Sequence, residues 1–544
     1  MGLRRIACWL LLVSLAPAGC ALDVPPRICL SPGVVVPDRP VVVFWVDGLD
    51  VERFNPLLAA GKLPNIRRYL IDRGVTVCGA AASLPTITYA NNVSFNTGLF
   101  PGHHGIVGNR WFDRNRMIFQ DYGFIKTYRQ VDEDFAARTV YEALGEDVTA
   151  TILTPVRRGA TRHVDNWMSA GVAWYFDMQE TVNHLTTRRF ELIAEVANRA
   201  GRWPRLILAY FVTPDTVGHA EGVSSPRYTQ MLLDIDRQIG HICRSLETAG
   251  LLERTCLTLV SDHGFVDTPN AFDVAGYFAQ TLKVPTISRE FGRDVAFEKR
   301  VAHFNKARAV VVNGGNRRTS IHLRCGDHWW QRPTYEQIES FPAPGVGEGV
   351  SLPSLLARCA AIEVVVVPRG PDAVVVRTAA GAGQIDRTVG DGGKVYRYRV
   401  LSGADPLGYM GHPQAAALMD GQFHDGDEWL MATLGTGKPD CVGQLVEMMD
   451  SPRSGDIALF AADGWGLGGK DKGGHGGLLC HEIVVPWVWA GPGLPAGTQI
   501  TGARTVDLMP TILHLTGRPG AIPPGLDGRS IADRLRSATA RPRP

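Results

Sequence analysis

The chain has 544 residues, a formal net charge of +2 and 45% hydrophobic residues, a length that on its own suggests three or four domains. Charged residues make up 20% and nearly balance, with no dense basic cluster and no nucleic-acid-binding motif. This excludes a nucleic-acid polymer held by charge and favours a small ligand.

In chain order, Arg4 and Arg5 precede an apolar run from Ile6 to Ala16. As a helix that run spans roughly 16 Å against ~30 Å of hydrocarbon, so residues 1–20 read as a signal peptide and not a membrane span. Pro17-Ala18-Gly19-Cys20 resembles a lipobox, which would place a lipid anchor at Cys20 and the chain in the periplasm or on a membrane as a lipoprotein. Cleavage after Ala18, giving a periplasmic or extracellular protein, is the alternative. The remaining cysteines, Cys29, Cys78, Cys243, Cys256, Cys325, Cys359, Cys441 and Cys480, permit disulfides without fixing their connectivity.

Val41–Val46 is a buried-strand pattern that ends in Asp47-Gly48. Residues 84–109 then place Pro85-Thr86 at the end of an extended segment, Thr88 at a predicted helix start and Gly98 at its stop. A hydroxyl at a helix N-terminus sits among unpaired N–H groups, where a phosphate is readily held; a simple N-cap is the plainer reading of Thr88. A second strand, 205–212, delivers Asp215 and His219, and 225–250 predicts a helix capped by Ser225 with Tyr228, Leu232, Ile235, Ile239, Ile242 and Leu246 on one apolar face. A third strand, 256–261, ends in Asp262-His263. About 210 residues separate His263 from His475, which lies in the flexible run Gly473-Gly474-His475-Gly476-Gly477.

Three strands ending in Asp or Asp-plus-His place carboxylates and imidazoles where open α/β sheets build their sites. Asp47, Asp215, Asp262, His219, His263, His475 and the Thr88 oxygen make a hard-to-borderline donor set with no cysteine. That suits catalytic Zn²⁺, with Mn²⁺ or Fe as alternatives, and excludes a structural zinc ribbon. Seven ligands are too many for one tetrahedral ion and suit two ions roughly 3.5–4 Å apart that clamp the oxygens of a phosphoryl transfer. Metal coordination lowers an oxygen acid's pKa by about 8–9 units, so Thr88 needs no separate general base.

These residues resemble the alkaline phosphatase superfamily and, within it, the type I phosphodiesterases/nucleotide pyrophosphatases. The resemblance runs from about Val41 to Ile531. It rests on Trp45-Val46-Asp47-Gly48, Pro85-Thr86-Ile87-Thr88, residues 97–109, Thr213-Pro214-Asp215 with His219, Ser261-Asp262-His263-Gly264, Gly474-His475-Gly476 and residues 506–513. It implies Thr88 as nucleophile through a phosphothreonine intermediate and Asn109 as donor to a phosphate oxygen. Asp47, Asp262 and His263 would hold one zinc ion with the Thr88 oxygen, and Asp215, His219 and His475 the other; His104 is structural. Tyr89 stands where relatives carry Phe, and Arg158 where related monoesterases place the arginine of a Lys-x-Arg pair whose lysine is Val156 here. Tyr89 and Arg158 are thus substrate-binding candidates. The alternatives are a phosphate monoesterase, a phosphonoacetate-type hydrolase, and a non-catalytic exported binding protein on the same scaffold.

The implied fold is α/β: an alkaline-phosphatase-like three-layer sandwich around a mostly parallel sheet, with an inserted mixed α+β cap. Its parts would be a catalytic core over 38–265, the cap over 266–450, the core resumed over 451–535 through a return strand at 455–460, and a frayed tail at 536–544. The partner would be a small phosphoester.

Overall fold

A computed structural model of the chain describes residues 24–540 apart from Ile125, Asn166, Glu290 and Glu348. The expected leader, the lipobox-like segment and Cys20 lie outside the described residues. Among those residues no helix is long and apolar enough to cross a membrane.

The fold is an α/β sandwich. Its main sheet runs, in spatial order, Thr539–Ala540, Thr498–Arg504, Gly74–Ala81, Trp487–Ala490, Cys256–Val260, Val41–Val46, Leu206–Phe211, Thr149–Ile152 and Arg162–His163. Val41–Val46 pairs in parallel with both Leu206–Phe211 and Cys256–Val260, whereas Trp487–Ala490 runs antiparallel to its neighbours. Because side chains alternate along a strand, the central strand feeds two cores. Val42, Phe44 and Val46 pack under the helices Gln179–Ala200 and Pro226–Thr248, and Val41, Val43 and Trp45 pack on the opposite face against Leu508, Met509, Ile512 and Leu513. Each such side chain contributes about 1.5–3 kcal/mol on burial. The predicted helix is Pro226–Thr248; Ser225 accepts from Tyr228 N–H, and all six predicted apolar positions are buried.

A second, mostly antiparallel sheet fills the inserted region, with Ala309–Gly315 and Arg318–Leu323 forming a hairpin near its edge. Ile457–Ala461 lies inside this sheet, between Arg318–Leu323 and Ile362–Pro368. The expected return to the core at 455–460 is therefore corrected: this strand completes the inserted sheet, and the chain rejoins the main sheet only at Val484–Val485 and Trp487–Ala490. Ile457 and Leu459 pack on one face and Ala458 and Phe460 on the other. A strand buried on both faces is apolar throughout, so its sequence does not say which sheet it joins. The frayed-tail expectation is corrected for Thr539 and Ala540, which pair with Gln499 and Thr498; residues 541–544 lie outside the described residues. All eight cysteines from Cys29 to Cys480 are free thiols.

Candidate active site

Strand register assembles the site. Val46 lies opposite Phe211 and Trp45 opposite Val260, so Asp47, the 213–219 segment and Asp262-His263 leave adjacent strands at the same sheet edge. Gly48, at φ +63°, permits the close approach; a Cβ there would stand 3.1 Å from the Cα of Asp215 and 3.0 Å from Phe265.

Two ligand groups result. The ligand atoms of Asp47, Asp262 and His263 lie within 4.8 Å of one another, as do those of Asp215, His263 and His475. His263 stands between them, its ring stacked on that of His475 at 3.6 Å and 8°. His219 joins the second group from outside, with Nε2 3.4 Å from Asp215 Oδ1, matching the 3.4 Å from His475 Nε2 to the same oxygen.

The imidazole tautomers follow from the hydrogen bonds. Nδ1 of His263, His475 and His219 lies 3.0, 2.8 and 3.2 Å from the carbonyl oxygens of Gly264, Thr86 and Gly473 respectively. A carbonyl only accepts, so each Nδ1 carries the proton and each Nε2 turns a lone pair inward. His263 Nε2 faces Asp47 Oδ1 and Asp262 Oδ2, both at 3.3 Å. Asp47 Oδ1, Asp262 Oδ2 and Asp215 Oδ1 are buried and have no hydrogen-bond partner. Acceptors facing acceptors in a buried pocket are unfavourable unless cations lie between them, so the residues present fit two metal ions. Burial, then the charges of Asp262 and Asp215, pushes Asp47 well above the ordinary carboxylate range, and burial also raises Asp262. Burial, reinforced by His263, pushes His475 well below the ordinary imidazole value.

Thr88 opens the helix Thr88–Thr97, and Gly98 closes it in the left-handed conformation. The N-cap position belongs to Ile87, which makes no side-chain cap bond. Thr88 is therefore no cap; its hydroxyl faces His263 Nε2 at 3.2 Å. Asn91 braces the turn before it, accepting from Ser83 N–H and donating to the carbonyls of Ser83 and Pro85. Asn109 accepts from Tyr89 N–H at 3.1 Å, which fixes its carboxamide beside the helix start. The Tyr89 ring stacks on Tyr122 at 4.8 Å.

The chain matches the family described as type I phosphodiesterase / nucleotide pyrophosphatase over residues 41–324, more than half its length. The chain belongs to this family. Within it, an uncharacterised pyrophosphatase/phosphodiesterase of Schizosaccharomyces pombe is 27% identical over 239 residues, covering 42% of this chain and 45% of that protein. Human ectonucleotide pyrophosphatase/phosphodiesterase family member 5 is 28% identical over 206 residues, covering 36% and 39%. The matched segments thus span less than half of these relatives. The solved structure of murine ectonucleotide pyrophosphatase/phosphodiesterase 5 superposes with a TM-score of 0.53 at 15% identity, covering 92% of this chain and all of that one. The murine protein has also been solved as an inactive threonine-to-alanine variant in complex with AMP. The family's alkaline-phosphatase-like sandwich is therefore the fold of this chain.

Arg158 corrects the expectation of a substrate contact. Its guanidinium donates to Glu142 at 3.0 Å and to the carbonyls of Asp132, Phe135 and Ala137, and it lies 4.2 Å over the Phe135 ring. Val156, at the lysine position of related monoesterases, is buried in an apolar cluster with Val93, Ile106 and Trp111, and its N–H donates to Asn92. His104 is structural, taking Ile106 N–H on Nδ1 and facing Ser94 through Nε2.

Sequence reading missed three supporting residues. The Tyr210 hydroxyl donates to Asp47 Oδ2, its ring stacked 3.9 Å from Trp45. The Thr86 hydroxyl accepts from Gly476 N–H and donates to Gly477 O, tying the turn before Thr88 to the His475 loop. Asn316 reaches the same loop from the inserted sheet. Tyr210 continues the strand leading to Asp215 and could have been sought there; Asn316 lies some 160 residues from His475 with no motif around it.

Proposed function

We propose that the chain is a metal-dependent hydrolase of small phosphodiesters and nucleotide pyrophosphates, with two zinc ions held by Asp47, Asp262, His263 and Thr88 and by Asp215, His219 and His475. One observation carries this reading: the Thr88 hydroxyl sits among inward lone pairs and unpartnered carboxylate oxygens, a donor set that two cations would satisfy. When bound, the ions acidify the hydroxyl and neutralise charge on the phosphoryl oxygens.

The chain's own residues do the rest. His263 and the braced turn at Asn91 fix Thr88 at the helix start, ready for in-line attack. Thr88 Oγ forms a bond to phosphorus while the bond to the leaving oxygen breaks, giving phosphothreonine; the leaving group takes up a proton. Water then attacks the phosphothreonine, returning the Thr88 hydroxyl and releasing the phosphate product. Asn109, its carbonyl oxygen committed to Tyr89 N–H, has its amino group left to donate to a non-bridging oxygen.

Diesters are favoured because they carry one negative charge on the phosphoryl group and need fewer cationic partners. Arg158 is committed elsewhere and Val156 brings no charge, so the extra pair that would favour a dianionic monoester is missing. We further propose that the chain is exported and anchored through Cys20.

The test is to compare bis(nitrophenyl) phosphate with nitrophenyl phosphate on the zinc-loaded protein. The diester is expected to have the higher kcat/KM. A tenfold preference for the monoester, about 1.4 kcal/mol, would reverse the assignment.

A further inference from the structure

The inserted sheet does more than cover the site. The tip of its hairpin, residues 314–317, is wedged between the parts of the candidate active site. Gly314 O accepts from Asn109 N–H at 2.9 Å, and Arg317 N–H donates to His475 O at 3.1 Å. Between them, Asn316 makes a double clamp on the glycine-rich loop: its Oδ1 accepts from His475 N–H at 3.1 Å and its Nδ2 donates to Gly473 O at 2.8 Å. Gly473 O is also the carbonyl that takes Nδ1–H of His219, at 3.2 Å. One carboxamide therefore braces the backbone of one imidazole ligand and the hydrogen-bond acceptor that orients another. The fit is tight, since a Cβ on Gly474 would stand 2.0 Å from Asn316 Oδ1. Among the described residues no comparable clamp reaches Asp47 or Asp262, whose supports come from the main sheet: Tyr210, on a neighbouring strand, on Asp47 and Gly48 N–H, in the turn after the central strand, on Asp262.

We propose that Asn316 is a positioning residue that sets metal affinity at the Asp215–His219–His475 group alone, so that the inserted subdomain tunes one ion and leaves the other to the core. This rests on the two-ion reading above. Losing a group that orients metal-bound imidazoles typically costs 10–100-fold in affinity.

The experiment titrates the metal-free full-length chain, its Asn316→Ala variant and its Asn316→Asp variant with Zn²⁺ against a chromophoric chelator. Thermal midpoints are followed in parallel. Wild type is expected to show two binding steps, and Asn316→Ala to weaken one of them 10–100-fold while leaving the other in place. Asn316→Asp keeps the acceptor for His475 N–H but turns a second acceptor toward Gly473 O and Asp471, so it should weaken the same step as well. Activity lost in either variant should return in excess Zn²⁺, which a packing defect would not allow. Two unchanged steps in a folded variant, or equal weakening of both, would overturn the proposal. If Asn316→Ala does not fold, unchanged affinity in Asn316→Asp overturns it alone. Fewer than two steps in wild type would instead sink the two-ion reading, and this proposal with it.

Discussion

The two ligand groups share His263 as a wall yet are built differently. The inner group, Asp47 and Asp262 with His263, hangs from adjacent parallel strands, and its side chains are at most 1% exposed. The outer group takes Asp215 and His219 from one turn of a helix and His475 from a glycine loop, with side chains 15%, 27% and 2% exposed. Strand ends in a hydrogen-bonded sheet are fixed by the whole core, whereas the glycine-rich run around His475 pairs only briefly, Gly473 with Asp267 and Gly474 with Val266, and is otherwise held by side chains from outside. The inner group is therefore preorganised by the fold. The outer group depends on the Thr86 and Asn316 straps and is the more adjustable of the two.

The sharpest way to break this picture is at the residue both groups serve. Thr88→Ala should lose several orders of magnitude in turnover with an unchanged thermal midpoint, because the hydroxyl contributes little packing and a covalent route has no substitute for it. Thr88→Ser should keep part of the rate. Near-wild-type turnover in Thr88→Ala would end the phosphothreonine mechanism.

Next comes the contrast between the groups themselves. Asp262→Ala should abolish one ion even in excess Zn²⁺, whereas His219→Ala, at the exposed rim, should bind its ion weakly and regain activity as Zn²⁺ is raised. Metal analysis alongside turnover checks this, and equal behaviour of the two variants would dissolve the distinction. Tyr210→Phe removes only the hydroxyl on Asp47. It should cost 10–100-fold in metal affinity or activity at the inner step alone, read by the same titration.

Two smaller effects concern residues away from the chemistry. Arg158→Ala should leave KM for a diester within about twofold. It should lower stability by about 1.5–3 kcal/mol, the size of a hydrogen bond to a charged group, measured by denaturant unfolding. A large rise in KM would restore Arg158 to the substrate pocket. His103 lies between Asp527, 2.6 Å from Nδ1, and Asp450 and Glu447, 3.0 and 2.8 Å from Nε2. Burial opposes its charge, yet Asp450, Asp527 and Glu447 raise it to about 11. A raised folded-state pKa gives stability that is complete below the ordinary histidine value of about 6.5 and is lost as pH rises toward the folded value. The thermal midpoint should therefore fall between about pH 7 and 10, and His103→Gln should flatten that fall. An unchanged slope would contradict it.

Consecutive residues alone announce the central strands, the helix 226–248 with its cap, and the candidate ligand residues that the fold brings together. These are local signals, since apolar runs, periodicity and a carboxylate after a strand are written in consecutive residues. They also placed Thr88 at a helix start, while leaving open whether its hydroxyl capped that helix. It took long-range packing to settle that Ile87 holds the cap position and that Thr88 faces His263. Long-range packing, too, showed that Ile457–Ala461 completes the inserted sheet, that Arg158 turns to Glu142, and that His263 stands between both groups. Each of these depends on partners far away in the chain. A fully buried strand looks the same in either sheet, an arginine carries no mark of which carboxylate it will meet, and a glycine loop takes its shape from whatever packs against it.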